Sequence, residues 1–207
     1  MEILFESAEL IVCLKPAGLS SQQEPKGDSM PALLGQHTGR TVYPVHRLDK
    51  PAAGLMVYAK TEKAAAFLSA AIQRGQFCKE YLAALRGTPG APSGRLEDLL
   101  YHDVRRNKTY VVNRKRKGVR EAALEYETVG QKDGLTLVRV RLLTGRTHQI
   151  RVQFGSRQLP LCGDGTYGGG SGPLGLWSAR LSFPNPSGGP DLDFSHQPPD
   201  NLPWSQF

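Results

Sequence analysis

Val45-His46-Arg47-Leu48-Asp49-Lys50-Pro51 sets one carboxylate between two cations, just ahead of the apolar segment Gly54-Leu55-Met56-Val57-Tyr58-Ala59. An ionised carboxylate in a turn that feeds a buried strand can act as a nucleophile or as a base. The same residues would also make an ordinary solvated salt-bridge corner, so the chemistry depends on what else the chain can bring. Two distant segments offer partners. One is Lys79-Glu80-Tyr81-Leu82-Ala83, with a single tyrosine on a strand. The other is Leu143-Thr144-Gly145-Arg146-Thr147-His148-Gln149-Ile150-Arg151, with two arginines and a histidine. A third segment, Arg114-Lys115-Arg116-Lys117-Gly118, is either a solvated hairpin tip or a clamp for phosphates.

Other chemistries have little support. Cys13, Cys78 and Cys162 are odd in number and far apart, with no paired-cysteine or Cys/His ligand spacing, so neither a disulfide framework nor a metal site is expected. The glycine-rich stretch from Gly163 to Gly175 fits neither a phosphate-binding loop nor a dinucleotide fingerprint. No Gly-x-Ser-x-Gly elbow is present.

The elements that must position these residues follow from hydrophobic pattern. Leu10 to Leu14 is a short strand closed by the turn Lys15-Pro16-Ala17-Gly18. Residues 20–40 are polar and broken by Pro25, Gly27, Pro31, Gly35 and Gly39, which predicts mostly loop. Gly54 to Ala59 lacks alternation and is expected to be a central strand. Thr61 caps a predicted helix whose apolar face is Ala64, Phe67, Leu68, Ala71 and Ile72, with Gly75 as its stop.

Beyond Lys79 the pattern turns to strand, then to a Pro/Gly-rich connection over 87–94. Lys108 to Val112 and Ala122 to Tyr126 read as strands flanking the basic turn. Val138, Val140 and Leu142 mark another strand. Thr147 is the expected cap of a short helix through Ile150, Arg151 and Phe154 to Gly155. A last strand lies at Leu176 to Leu181. The Pro- and Gly-rich C-terminal segment carries Phe194, Trp204 and Phe207, aromatics that argue for packing on the body. The sum is an α+β fold on a mixed, mostly antiparallel sheet with a few flanking helices, read as one domain over 1–207.

The bulk numbers agree with a polyanionic partner. Twenty-six Lys and Arg against 19 Asp and Glu give a net charge of +7 over 207 residues. The N-terminus lacks the layout of a secretory signal, and no apolar run is long enough to span a bilayer. The expectation is a soluble cytoplasmic protein, monomeric, with no membrane or protein partner.

Together these motifs resemble the RluA-type pseudouridine synthases, over about residues 9–183. His46-Arg47-Leu48-Asp49 with Gly54-Leu55 is similar to the family's active-site motif, and Lys15-Pro16-Ala17-Gly18 to its first motif. Lys79 to Ala83 resembles its tyrosine strand. Leu143 to Arg151, with Gly163-Asp164 and Tyr167-Gly168, resembles its C-terminal signature. One departure is Pro51-Ala52-Ala53, where many members carry Thr-Ser before the glycine. The chain also resembles a short form without the small N-terminal RNA-binding domain.

The resemblance implies isomerisation of a uridine to pseudouridine in structured ribosomal or transfer RNA, with no cofactor and no metal. It implies Asp49 as the catalytic carboxylate, Arg151 as the guanidinium that keeps it ionised, and Tyr81 stacked on the uracil. Substrate-binding roles fall to His46, Arg47, Arg146, His148 and the basic run Arg114, Lys115, Arg116 and Lys117. His46 and His148 line the same motifs as hydrogen-bonding residues that orient their loops, rather than as proton carriers.

Overall fold

The computed structural model describes residues 1–25 and 27–207. In chain order the strands are β1 (Glu2–Glu6), β2 (Leu10–Lys15), β3 (Tyr43–Pro44), β4 (Ala53–Ala59), β5 (Cys78–Arg86) and β6 (Ser93–Asp103). They continue with β7 (Lys108–Val112), β8 (Val119–Lys132), β9 (Leu135–Leu142), β10 (Leu176–Phe183) and β11 (Leu192–Ser195). The helices are α1 (Met30–Thr38), α2 (Glu62–Gln73) and α3 (Gln149–Gly155), with a 3-10 turn at Trp204–Gln206. Contacts divide the chain into two compact units. Unit 1 is Met1–Lys79 with Trp177–Pro198, and unit 2 is Glu80–Leu176 with Pro199–Phe207.

In unit 1, β2 lies between β1 and β4 and is antiparallel to both, while β10 joins β4 in parallel and carries β11 antiparallel to itself. β4 is buried along nearly its whole length, as its unbroken apolar run predicts. Leu10, Val12, Leu55, Val57, Leu68, Phe77, Leu181 and Phe183 make the core, with Phe194 of β11 packed against it. Gly54 is demanded by the sheet: at φ 111° a Cβ there would stand 2.4 Å from the Ser178 carbonyl oxygen.

Helix α1 corrects the loop expected over 20–40. The residues read as breakers are its start and stop signals: Ser29 caps the Ala32 N–H, Pro31 sits in the first turn, and Gly39 ends the helix at φ 67°. Helix α2 is capped by Thr61 as predicted and buries Ala64, Leu68 and Ala71. Phe67, expected on the same face, is 42% exposed.

In unit 2 the order is β5-β9-β8-β6-β7, each neighbour antiparallel. The mixed, mostly antiparallel α+β architecture is therefore as predicted. Strands β1 and β6 were not apparent from the sequence, and missing β6 has a consequence. Because β6 pairs with both β7 and β8, the basic run between them does not tip a hairpin. Residues 113–118 instead carry the chain from the Leu99 end of β7 back past β6 to Val119, which faces Tyr101. The basic turn is a crossover loop.

Candidate functional site

In unit 1 the Asp49 turn is fixed by its neighbours along the chain from β2. Ser21 donates its hydroxyl hydrogen to the Leu48 carbonyl at 2.8 Å and accepts the Leu48 N–H at 3.2 Å. One hydroxyl thus holds both backbone groups of the residue before Asp49. Gly18 N–H reaches the Lys50 carbonyl at 2.8 Å, and Ala52 N–H closes the turn onto the Asp49 carbonyl at 3.0 Å. The backbone closes that turn without a hydroxyl at Ala52 or Ala53. Ser178 Oγ, on β10 at the position facing Gly54, is buried with no hydrogen-bond partner among the described residues.

Lys15 is the residue that sequence reasoning passed over. Fully buried, its ammonium donates to the carbonyls of Pro16 and Leu19 at 2.8 Å each and of Lys50 at 3.1 Å. Three donors meet three acceptors, which gathers the first motif and the far side of the Asp49 turn around one cation. Burial pushes its pKa down to about 8; the charge of Asp49 opposes that fall and the charge of Lys50 adds to it. Asp49 itself is half-buried, with Leu48 buried before it and Lys50 exposed after it. Of the flanking cations, Lys50 pairs with Glu24 at 3.7 Å and Arg47 stands exposed.

His46 is turned inward. Its Nε2 accepts the Val57 N–H at 3.2 Å and its ring lies against Phe77, with centroids 5.5 Å apart. Burial, reinforced by the Lys79 charge, drives its pKa to about 3, so the ring is neutral. With Nε2 accepting, the hydrogen sits on Nδ1, which is buried and has no partner among the described residues. This histidine fixes the turn to β4.

In unit 2, Tyr81 is buried on β5 opposite Val140, in a strand buried on both faces from Tyr81 to Leu85. Arg151 lies on α3, which starts at Gln149. The expected cap, Thr147, is not one: His148 occupies that position at φ 54° with no side-chain cap bond. The carbonyl of Thr147 instead accepts the Thr109 hydroxyl at 2.9 Å, tying the helix entrance to β7. Gln149 stabilises the preceding turn by accepting from Arg146 N–H at 3.0 Å and from the Thr144 hydroxyl at 2.7 Å.

Arg151 is 4% exposed and grips Asp164 bidentately, Nε to Oδ2 at 2.7 Å and Nη2 to Oδ1 at 2.8 Å. Its guanidinium also lies 5.3 Å from the centre of the Tyr167 ring. Asp164 and Tyr167 stand in the C-terminal signature, but nothing in their spacing announced these contacts. Tyr167 does more than seat the arginine. Its hydroxyl accepts the Thr109 N–H at 2.9 Å and donates to the Thr109 carbonyl at 3.1 Å. β7 is the outer strand of unit 2, and the phenol replaces a missing neighbour at one residue. The third contact, His148 Nδ1 at 3.1 Å, requires a hydrogen on Nδ1 because the phenol's own hydrogen is given to Thr109. Lys108 stands 5.5 Å from the same ring.

The basic crossover loop is not uniform. Lys115 is paired with Glu121, and Arg116 lies 4.9 Å over the Tyr101 ring. Arg146 is exposed and donates to the Glu121 carbonyl at 2.9 Å, beside that loop. No cluster of three or more His, Cys, Asp or Glu side chains among the described residues is placed to hold a metal ion.

The comparisons with known proteins follow this geometry. The family model described as RNA pseudouridylate synthase matches residues 9–156, which include Lys15, the Asp49 turn, Tyr81 and Arg151. The Bacillus subtilis protein described as uncharacterized RNA pseudouridine synthase YhcT is 32% identical over 181 residues, 83% of this chain and 59% of its own length. Ribosomal large subunit pseudouridine synthase D of Vibrio parahaemolyticus is 31% identical over 226 residues, 98% of this chain and 68% of its own length. The chain thus spans between about half and two thirds of the length of several such relatives. Among solved structures, human RNA pseudouridylate synthase domain containing 1 shares the fold with a TM-score of 0.81 at 20% identity, covering 98% of this chain and 84% of that one. A carboxylate turn built on the first motif, a buried arginine seated by the last, and a family model spanning both lead to one conclusion: the chain belongs to the RNA pseudouridylate synthase family.

Proposed function

We propose that this protein isomerises a specific uridine to pseudouridine in structured RNA, with Asp49 as the catalytic carboxylate. The observation that carries the proposal is the anchoring of the Asp49 turn. Ser21, Gly18 and buried Lys15 all bind the backbone of Leu48 or Lys50, which holds the half-buried Asp49 carboxylate in a defined place.

The reaction breaks the bond from uracil nitrogen to the anomeric carbon, turns the base and rejoins it through a ring carbon. Substrate and product are isomers, so the chemistry itself calls for no oxidant, reductant or group donor. A carboxylate can open the path by attacking the sugar or by removing a sugar proton to give a glycal. Arg151 supplies the fixed positive charge of the site, and Tyr81 stacks on the base. Stacking of this kind contributes on the order of 1–3 kcal/mol per base. It offsets part of the few kcal/mol needed to extrude a paired or stacked nucleotide. Arg47, exposed beside Asp49, meets the backbone or fills the vacated stack; Arg146 and the crossover loop hold phosphates. The Vibrio relative's name makes ribosomal RNA the first substrate to try, with transfer RNA next. The three cysteines, widely spaced and in no disulfide, fit a reducing cytoplasm, and the reading takes the chain as a monomer.

The test is to incubate the protein with ribosomal and transfer RNA from its host and map pseudouridine, with Asp49→Asn beside it. New pseudouridine at one or a few sites, absent with Asp49→Asn, is the expected result. RNA binding without any new pseudouridine would replace the enzyme with a silent RNA-binding protein on the same fold.

A further inference from the structure

The crossover loop borders an open surface pocket at the end of β7. Between the end of β7 and the returning chain lies a cavity of about 340 Å³, lined by Val111, Val112, Asn113, Arg114 and Arg116. That volume is at the small end of the roughly 300–1,000 Å³ typical of small-molecule sites. Its lining has three chemistries. Valine gives an apolar patch, Val111 itself packing inward against Leu100, Ala122 and Val152 while Val112 points to the other face of β7; one carboxamide offers a donor pair and an acceptor, and two guanidiniums offer forked donors without any acceptor.

The loop also sorts its cations. Lys115 is bound to Glu121, while Arg116 is held against the face of Tyr101. A guanidinium stacked on a ring loses less freedom when it binds an anion than one waving in solvent. Gly118, at φ 86°, turns the chain where a Cβ would come to 3.4 Å from Tyr101, so the loop lies close over that ring. Arg114 and Arg116 alone among the four consecutive cations face the cavity.

A ligand complementary to this lining has a flat, weakly polar body, an edge with mixed donors and acceptors, and an anionic group. A nucleotide has all three. We propose that the cavity takes one unpaired nucleotide of the RNA substrate, outside the target uridine. Its base lies against Val112 with Asn113 on its edge, and its phosphate lies between Arg114 and Arg116. The inference rests on the RNA reading above and deepens it: the loop reads a base as well as backbone charge, and so helps choose the site.

The experiment compares binding of two fluorescent single-stranded probes of equal length, an oligouridylate and the same backbone with abasic residues. Wild-type protein should prefer the oligouridylate by roughly five- to tenfold, the effect of one seated base. Asn113→Ala should lower that preference several-fold, leaving only what base stacking on Tyr81 supplies, and keep the salt dependence intact. Arg116→Ala should weaken both probes and lower the salt slope by about one. Arg139→Gln, on the β8–β9 face where Arg139 pairs with Glu127, should change neither. Thermal melts verify that each variant is folded. Equal binding of the two probes by wild-type protein overturns the nucleotide site, as does a preference untouched by Asn113→Ala. The isomerase reading fails separately: Asp49→Asn should keep the base preference, and a wild type with that preference but no pseudouridine would leave the cavity standing without the enzyme.

Discussion

Lys15 in unit 1 and Arg151 in unit 2 are both buried beside a candidate catalytic motif, and the two are held in opposite ways. Lys15 spends its three hydrogens on backbone carbonyls, and the charge of Asp49 favours its protonated form. Arg151 is locked to a carboxylate through two parallel bonds and rests on a phenol ring. Each unit also uses one hydroxyl to hold both backbone groups of a single residue, Ser21 on Leu48 and Tyr167 on Thr109. The shared device shows that both regions are built to fix backbone position. The difference lies in charge: a lysine ringed by neutral carbonyls shapes a loop and stays titratable, whereas an arginine forked onto a carboxylate keeps a permanent positive charge in place.

The largest effect should come from breaking the arginine's seat. Asp164→Asn breaks a buried, bidentate ion pair of Arg151, and losing one partner of such a pair typically costs about 3–5 kcal/mol. A fall in thermal midpoint, faster exchange of the Thr109 amide and loss of pseudouridine formation are expected together. An unchanged midpoint would mean the pair adds nothing to the native state. Lys15→Met should cost less, about 2–3 kcal/mol, because it orphans carbonyls but also removes a buried charge. Its damage should appear at Leu48 and Lys50 in amide exchange and leave Thr109 protected. If both variants loosen both regions equally, Lys15 and Arg151 do not anchor separate backbone segments.

Only one of the two cations responds to pH. Lys15 titrates at about 8 in the folded protein, against an ordinary value of 10.5. Between those values the unfolded chain holds more protons, so stability from this group rises with pH. The gain is complete above the unfolded value and is lost as pH falls through about 8. Urea midpoints at pH 7 and pH 10 should therefore diverge between wild type and Lys15→Met by on the order of 1–3 kcal/mol, with wild type gaining at the higher pH. A difference that stays constant with pH would show that the ammonium is not buried as described.

Much of this was legible in residue order. The apolar run of β4, the Thr61 cap and the strand at Val138 to Leu142 were read correctly because periodicity and capping are local properties. Helix α1 was lost because Pro31 and Gly39 signal helix ends as readily as loops. The roles of Lys15, Asp164 and Tyr167 could not be seen, since each depends on a contact made far along the chain or on a backbone carbonyl, which no residue type announces. The crossover loop was misread for one reason: β6, partly polar along its length, was not recognised, and a strand between two others turns an apparent hairpin into a crossing.

The smallest effect separates the two tasks of Tyr167. Tyr167→Phe keeps the ring under Arg151 but removes the partner of both Thr109 backbone groups, a loss of about 1 kcal/mol. Because Thr109 lies on the strand that feeds the crossover loop, RNA affinity should fall a few-fold and KM should rise, with kcat held. Tyr167→Leu removes the ring as well, so Arg151 loses its seat and kcat should fall in addition. A phenylalanine variant that lowers kcat while leaving RNA affinity alone would reverse the assignment, making the hydroxyl a support for Arg151 through His148 and leaving β7 to be held by other bonds, such as Thr109 Oγ1 to the Thr147 carbonyl.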